Sequence, residues 1–197
     1  MTKVVLFDLD GIVMVGRKEY FSARYAREHG VPQEDVNEFF EGQFKRCSFG
    51  QCDLKEEILP YLQKWKWPGT VDGFIQEWFS AESTVDNRVL GIIDALRKSG
   101  RMCYVASRQE KHRMQYLWDQ VGLSHHFDGT FCTCDIGFDK SQREYWDCVI
   151  AALGLPPEEI MFFDDTQKNV DMAKEMGIDA HFYDGIHVLE HYARGLV

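Results

Sequence analysis

The sequence predicts an α/β fold: a Rossmann-like, doubly wound parallel sheet with an inserted α-helical cap. Two observations carry this. Short, continuous apolar runs recur along the chain, and stretches with helical periodicity lie between them. One stretch, residues 15 to 85, breaks the alternation. It contains no convincing strand, yet it holds nearly half of the aromatic residues. So much aromatic surface requires burial, which makes the segment a packed unit rather than a linker. The expected organisation is a core of residues 1–14 and 86–197 with a helical cap of residues 15–85.

The first expected strand is Val4-Val5-Leu6-Phe7, apolar on consecutive residues as a strand covered on both faces would be. The cap follows, with helices expected around Tyr20–His29, Glu34–Arg46, Leu54–Trp65 and Val71–Ala81. In the core, Val89, Ile92, Ile93 and Leu96 define one amphipathic helix. Strand Met102–Ala106 comes next. A helix carrying Met114, Leu117, Trp118 and Val121 then precedes a fifth, less regular strand at Gly129–Thr133. A helix through Trp146, Val149, Ile150 and Leu153 leads to strand Ile160–Phe163, and Ala180–Tyr183 is the last strand. Gly100, Gly122, Gly154 and Gly177 each follow a helical stretch, where a left-handed cap belongs.

Composition narrows the function. The 197 residues are 45% hydrophobic and 27% charged, which excludes general disorder. The formal charge of −10 repels phosphate backbones, so no nucleic-acid partner is expected. No apolar run approaches the ~20 residues that span a bilayer, so no membrane partner is expected either. The start, MTKVVLFDLDG, does not read as a signal peptide. Cys47, Cys52, Cys103, Cys132, Cys134 and Cys148 lack the paired spacing of a structural zinc site, and are expected to be reduced thiols of a cytoplasmic protein. Nothing in the sequence marks an oligomeric state.

The chemistry lies in the acids. Asp8 and Asp10 follow the first strand, and Gly11 follows them. Asp164 and Asp165 follow another strand, with Thr166 and Asn169 beyond. Ligands of parallel α/β sheets bind outside the carboxyl ends of the strands. Two acidic strand ends brought together would repel each other, and a hard divalent cation such as Mg²⁺ would relieve that repulsion. Each motif also has a plainer reading. Asp-Gly can be only a turn, and Asp164-Asp165-Thr166 can be only a helix cap.

These residues resemble the haloacid dehalogenase-like hydrolase superfamily. FDLDGIV (Phe7–Val13) is similar to its first motif and FFDDTQKNV (Phe162–Val170) to its fourth. Ser107 matches the hydroxyl second motif, and Lys140 the lysine of the third. The order of the motifs and the position of the helical insertion also agree. The resemblance is to small phosphatases of sugar phosphates and similar metabolites. It implies an aspartyl-phosphate on Asp8 and acid–base work by Asp10. It implies Mg²⁺ on Asp8, the Asp10 carbonyl and Asp165, supported by Asp164 and Asn169. Ser107 and Lys140 would bind the phosphoryl oxygens. Ser107-Arg108-Gln109-Glu110 and Ser141-Gln142-Arg143-Glu144 also read as capping boxes, which would make Ser107 a helix cap and Lys140 a surface residue.

Three positions depart from the family pattern. Ile12 replaces a common Thr or Val, Ser141 a common Pro, and Arg108 a common Asn. Arg108 could bind an anionic group of the substrate bidentately, or point outward. True haloacid dehalogenases lack an acid at the Asp10 position, so its presence points to phosphoester chemistry. A sugar-phosphate mutase is the nearest alternative. A non-catalytic binding descendant or a receiver-like signalling domain is more distant. Arg17, Lys18, Lys45, Arg46, Lys64 and Lys66 are the cationic candidates of the cap, which is expected to select the small phosphorylated substrate.

Overall fold

The computed structural model describes residues 2–16 and 18–196; Arg17, one of the cationic candidates, lies outside the described residues. Five parallel strands form one sheet: β1 (Val4–Phe7), β2 (Met102–Ser107), β3 (Gly129–Cys132), β4 (Ile160–Asp164) and β5 (Asp179–Phe182). Their order is β3-β2-β1-β4-β5. All five expected strands are present, with ends shifted by no more than a residue. The register sets Phe7 beside Val105 on one side and Phe163 on the other. The strands on either side of β1 therefore run out level with it.

The helices between β1 and β2 are α1 (Phe21–His29), α2 (Gln33–Glu41), α3 (Gln43–Ser48), α4 (Leu54–Lys64), α5 (Val71–Ala81) and α6 (Asn87–Lys98). The remainder are α7 (Lys111–Asp119), α8 (Thr133–Ile136), α9 (Arg143–Leu153), α10 (Gln167–Glu175) and α11 (Ile186–Ala193). The single helix expected over Glu34–Arg46 is two, because the chain kinks at Gly42. A Cβ there would lie 2.7 Å from the Glu38 carbonyl oxygen, so only glycine fits the kink. The four expected cap glycines all have positive φ.

Alternation along the strands divides the core into two layers. Val5, Phe7, Cys103, Val105, Met161 and Phe163 pack with residues of α6, α7 and α11. Val4, Leu6, Ala106, Ile160 and Phe162 face the other way, onto Tyr145, Trp146 and Val149 of α9 and Val170 of α10. A third cluster is built from α1–α5 and their loops, around Phe21, Tyr25, Phe39, Trp65, Phe74 and Trp78. Its rings stack edge to face, for example Tyr25 on Phe74 at 5.2 Å. Hydrogen bonds among the described residues fasten it to the sheet side. Thr133 Oγ1 donates to the Ser48 carbonyl at 2.7 Å, His112 Nε2 lies 2.9 Å from Asp53 Oδ2, and Arg113 Nη2 donates to the Glu82 carbonyl at 2.8 Å.

Trp146 is fully buried, and its indole donates to the Lys140 carbonyl at 2.7 Å. Trp146→Ala is expected to destabilise the protein by about 3–5 kcal/mol, read from the urea unfolding midpoint. A loss below about 1 kcal/mol would mean that the layer under β4 collapses around the cavity.

Candidate active site

The site forms where strand order reverses, between the carboxyl ends of β1 and β4. Asp8 is the first residue past β1. Its backbone N–H still donates to the Phe163 carbonyl at 3.0 Å, which ties it to β4. The chain then turns tightly, with Met14 N donating to the Leu9 carbonyl at 2.8 Å. Gly11 occupies that turn at φ 86°. A Cβ on it would lie 1.9 Å from Asp165 Oδ2, so the missing side chain makes room for a carboxylate from β4's loop.

Asp8 is 8% exposed and both of its oxygens are engaged. Oδ1 accepts from Leu9 N and from Ser107 Oγ, each at 2.7 Å. Oδ2 meets the Lys140 ammonium at 2.7 Å. Lys140 is 3% exposed and reaches Asp164 Oδ2 at 2.6 Å. Asp164, fully buried, also accepts from Thr166 N at 2.7 Å, and the Asn169 Nδ2 donates to its Oδ1 and Oδ2 at 3.2 and 3.1 Å. Asp10 Oδ2 accepts from Gln109 Nε2 at 2.7 Å.

These contacts decide several sequence readings. Lys140 is a buried ion-pair partner rather than a surface residue. Neither capping box forms. The Ser107 hydroxyl is given to Asp8, and α7 starts later, with Glu110 itself capping Arg113 N. Helix α9 begins at Arg143 with no side-chain cap. The Asp164 carboxylate does bond the Thr166 amide at the start of α10, and it binds Lys140 as well.

Burial pushes the Asp8 carboxyl above its ordinary value; Lys140 opposes this and Asp164 adds to it. Burial alone would pull the Lys140 ammonium down, but Asp8 and Asp164 outweigh it and hold it raised. Asp165 is raised by partial desolvation, then by Asp8. Asp8, Asp164 and Asp165 can each bring a carboxylate oxygen within 4.8 Å of the others. Three carboxylates face one ammonium here. A hard divalent cation fits this set by both charge and donor type.

A cavity of about 590 Å³ opens over these residues. Asp8, Asp10, Ser107, Arg108 and Asp165 line its strand-end wall; Lys18, Glu19 and Tyr20, from the segment leading to α1, line the other. An adjoining recess of about 370 Å³ shares Asp8 and Arg108 and adds Lys140 and Asn169. Arg108 is tied to Asp139 only at 3.4 Å and leaves 63% of its side chain exposed. Of the described cationic candidates, Lys18 reaches the cavity, whereas Lys45, Arg46, Lys64 and Lys66 are absent from its lining. Sequence reading passed over Gln109, which sat inside an apparent capping box. A polar residue two positions past a strand end that carries a site hydroxyl is the signal that could have found it.

Residues 2–177 match the sequence profile of the haloacid dehalogenase-like hydrolases. The GMP/IMP nucleotidase YrfG of Escherichia coli K12 is 23% identical over 182 residues, covering 88% of this chain and 79% of the relative. A phosphorylated carbohydrates phosphatase of Thermotoga maritima is 25% identical over 199 residues, covering 95% and 87%. In fold, the chain matches a HAD-family enzyme of Bacteroides thetaiotaomicron in complex with magnesium and inorganic phosphate. The TM-score is 0.81 at 18% identity, covering 95% of this chain and 99% of that one.

Gly11→Ala is expected to displace the Asp165 carboxylate. Divalent-cation affinity, measured by calorimetry, should fall by about 10–100-fold, as for other changes that reorient a ligand from behind. Unchanged affinity would show that Asp165 is not a ligand.

Proposed function

Because this chain belongs to the haloacid dehalogenase-like hydrolase family, we propose that it is a magnesium-dependent phosphatase of a small phosphorylated metabolite, a sugar phosphate in the first instance, working through an aspartyl-phosphate. The observation that carries the reading is Asp8: a buried carboxylate at the cavity floor, bonded to Lys140 and Ser107, with Asp10 on the same wall. Relatives named as a nucleotidase and a carbohydrate phosphatase support the phosphoester class.

In this reading one Asp8 oxygen attacks phosphorus. The Asp8 O–P bond forms as the bond from phosphorus to the substrate oxygen breaks. Asp10 gives its proton to that leaving oxygen. The resulting Asp10 carboxylate then takes a proton from water. The water oxygen bonds to phosphorus, the Asp8 O–P bond breaks, and phosphate is released. Lys140 and Ser107 hold the nucleophile and offset charge on the transferring group. Asp8, the Asp10 carbonyl and Asp165 would hold magnesium, with Asp164 and Asn169 behind them. Bound there, magnesium would supply positive charge to offset that of the phosphoryl group. Arg108 and Lys18 are the candidate contacts to the rest of the substrate.

The division into a core of 1–14 and 86–197 and a cap of 15–85 belongs to the same proposal. The separate aromatic cluster of α1–α5 supports it. A cytoplasmic location is also proposed: all six cysteines are free thiols, which suits a reducing compartment. No described helix is long and apolar enough to cross a membrane.

Purified protein assayed against a panel of phosphorylated metabolites tests the reading directly. Excess chelator should abolish turnover, Mg²⁺ should restore it, and Ca²⁺ should substitute poorly. Full activity in chelator would remove the metal from the proposal.

Asp8→Asn should eliminate covalent phosphorylation. Asp10→Asn should slow turnover by about 10²–10⁴-fold. With an aryl phosphate, whose leaving group needs little protonation, it should still accumulate an adduct on Asp8. Rapid quench and peptide mass analysis locate the adduct. Its appearance on another residue, or undiminished in Asp8→Asn, would sink the mechanism.

A further inference from the structure

The loop between β2 and α7 places one more polar side chain in the site. Gln109 is 3% exposed, and its Nε2 donates to Asp10 Oδ2 at 2.7 Å. The same nitrogen lies 3.5 Å from Ser107 Oγ, which donates to Asp8 Oδ1 at 2.7 Å. A primary amide has two N–H donors, so one group can face both the acid–base residue and the hydroxyl that supports the nucleophile.

Gln109 is itself well held. Ser107, two residues before it, is paired in register with Cys132 of β3. Glu110, the next residue, is 1% exposed and caps Arg113 N at 3.0 Å. With strand on one side and helix cap on the other, the loop has little freedom to drift.

We propose that Gln109 is a positioning residue for Asp10: its amide fixes the orientation of the Asp10 carboxylate toward the leaving-group oxygen. The inference rests on reading Asp10 as the acid and base. The physical need is specific. The terminal torsion of an aspartate is broad, whereas proton transfer requires a heavy-atom approach of about 2.6–3.2 Å. A buried amide bonded to one carboxylate oxygen removes that freedom before substrate arrives. Asp8 is held separately, by Leu9 N, Ser107 and Lys140.

The test compares two substrates, an alkyl phosphate from the productive panel and p-nitrophenyl phosphate. Gln109→Met keeps the length and removes the N–H. It should lower kcat on the alkyl phosphate by about 10–100-fold with KM nearly unchanged, the scale of a misplaced catalytic group. The aryl phosphate should lose far less. In an Asp10→Asn background, Gln109→Met should add no further loss on the alkyl phosphate, because the group it positions is gone. Equal losses on both substrates, or additive losses in the double variant, would overturn the proposal and leave Gln109 as packing. If Asp10→Asn alone shows no dependence on the leaving group, the acid–base reading fails, and the proposal fails with it. Should Gln109→Met not fold, Gln109→Leu removes the donor without adding a charge beside Asp10 and should give the same leaving-group signature. Its absence there would equally overturn the proposal.

Discussion

The Lys140 ammonium, set between Asp8 and Asp164, is the constraint around which the site is organised. Two carboxylates at neighbouring strand ends, both withdrawn from water, repel strongly in a medium less polarisable than the solvent. One buried cation at 2.7 and 2.6 Å from them makes the pair tolerable. Lys140 in turn depends on α9 and on the layer of β4 that faces it. Its carbonyl is bonded by Trp146 of α9, and its Nζ lies 5.8 Å from the centre of the Phe162 ring. The charge balance of the cavity floor is thus tied to the packing beneath it.

This arrangement separates the two acids that follow β4. Asp164 points inward, and its oxygens are taken by Lys140, Thr166 N and Asn169. Asp165 points to the open side, into the space left by Gly11. One Asp-Asp pair therefore supplies both a support for the buried lysine and a carboxylate at the cavity. The alternation of side chains at a strand end makes this division natural. Helix α10 starting just beyond holds both directions in place.

Where signals were local and continuous, the sequence was legible. The central strands β1 and β4 could be read because each is an apolar run covered on both faces, whereas the edge strands β3 and β5, with Thr130 and His181 among their residues and partly exposed, gave a weaker signal. The acids could be read because they follow such runs. What failed depended on contacts across the chain. Ser107 is followed by a glutamate at the spacing of a capping box, but its hydroxyl bonds to Asp8, 99 positions away in sequence. The same pattern after Ser141 yields no cap. Lys140 carries no local mark of burial, since its partners come from β1 and β4. The break at Gly42 is decided by how close its backbone comes to the Glu38 carbonyl, which periodicity does not register.

The route into and out of the helical insertion bears on the site as well. Val15 N donates to the Thr84 carbonyl at 2.8 Å, and Asp86 N to the Val13 carbonyl at 2.9 Å. The outgoing and returning chains therefore run side by side as a short antiparallel ribbon, with Met14 bridged both to Val85 and to Asp10. Two of the restraints on Asp10 are of different kinds. On one side is the Gln109 amide, fixed to the core between β2 and α7. On the other is the ribbon through which the helices of α1–α5 are attached. Asp8 lies outside that ribbon: its backbone is bonded to β4, and its carboxylate to Leu9 N, Ser107 and Lys140. The ribbon ties the helical insertion to the turn that carries Asp10, while the charged floor of Asp8, Lys140 and Asp164 is fixed at the ends of β1 and β4.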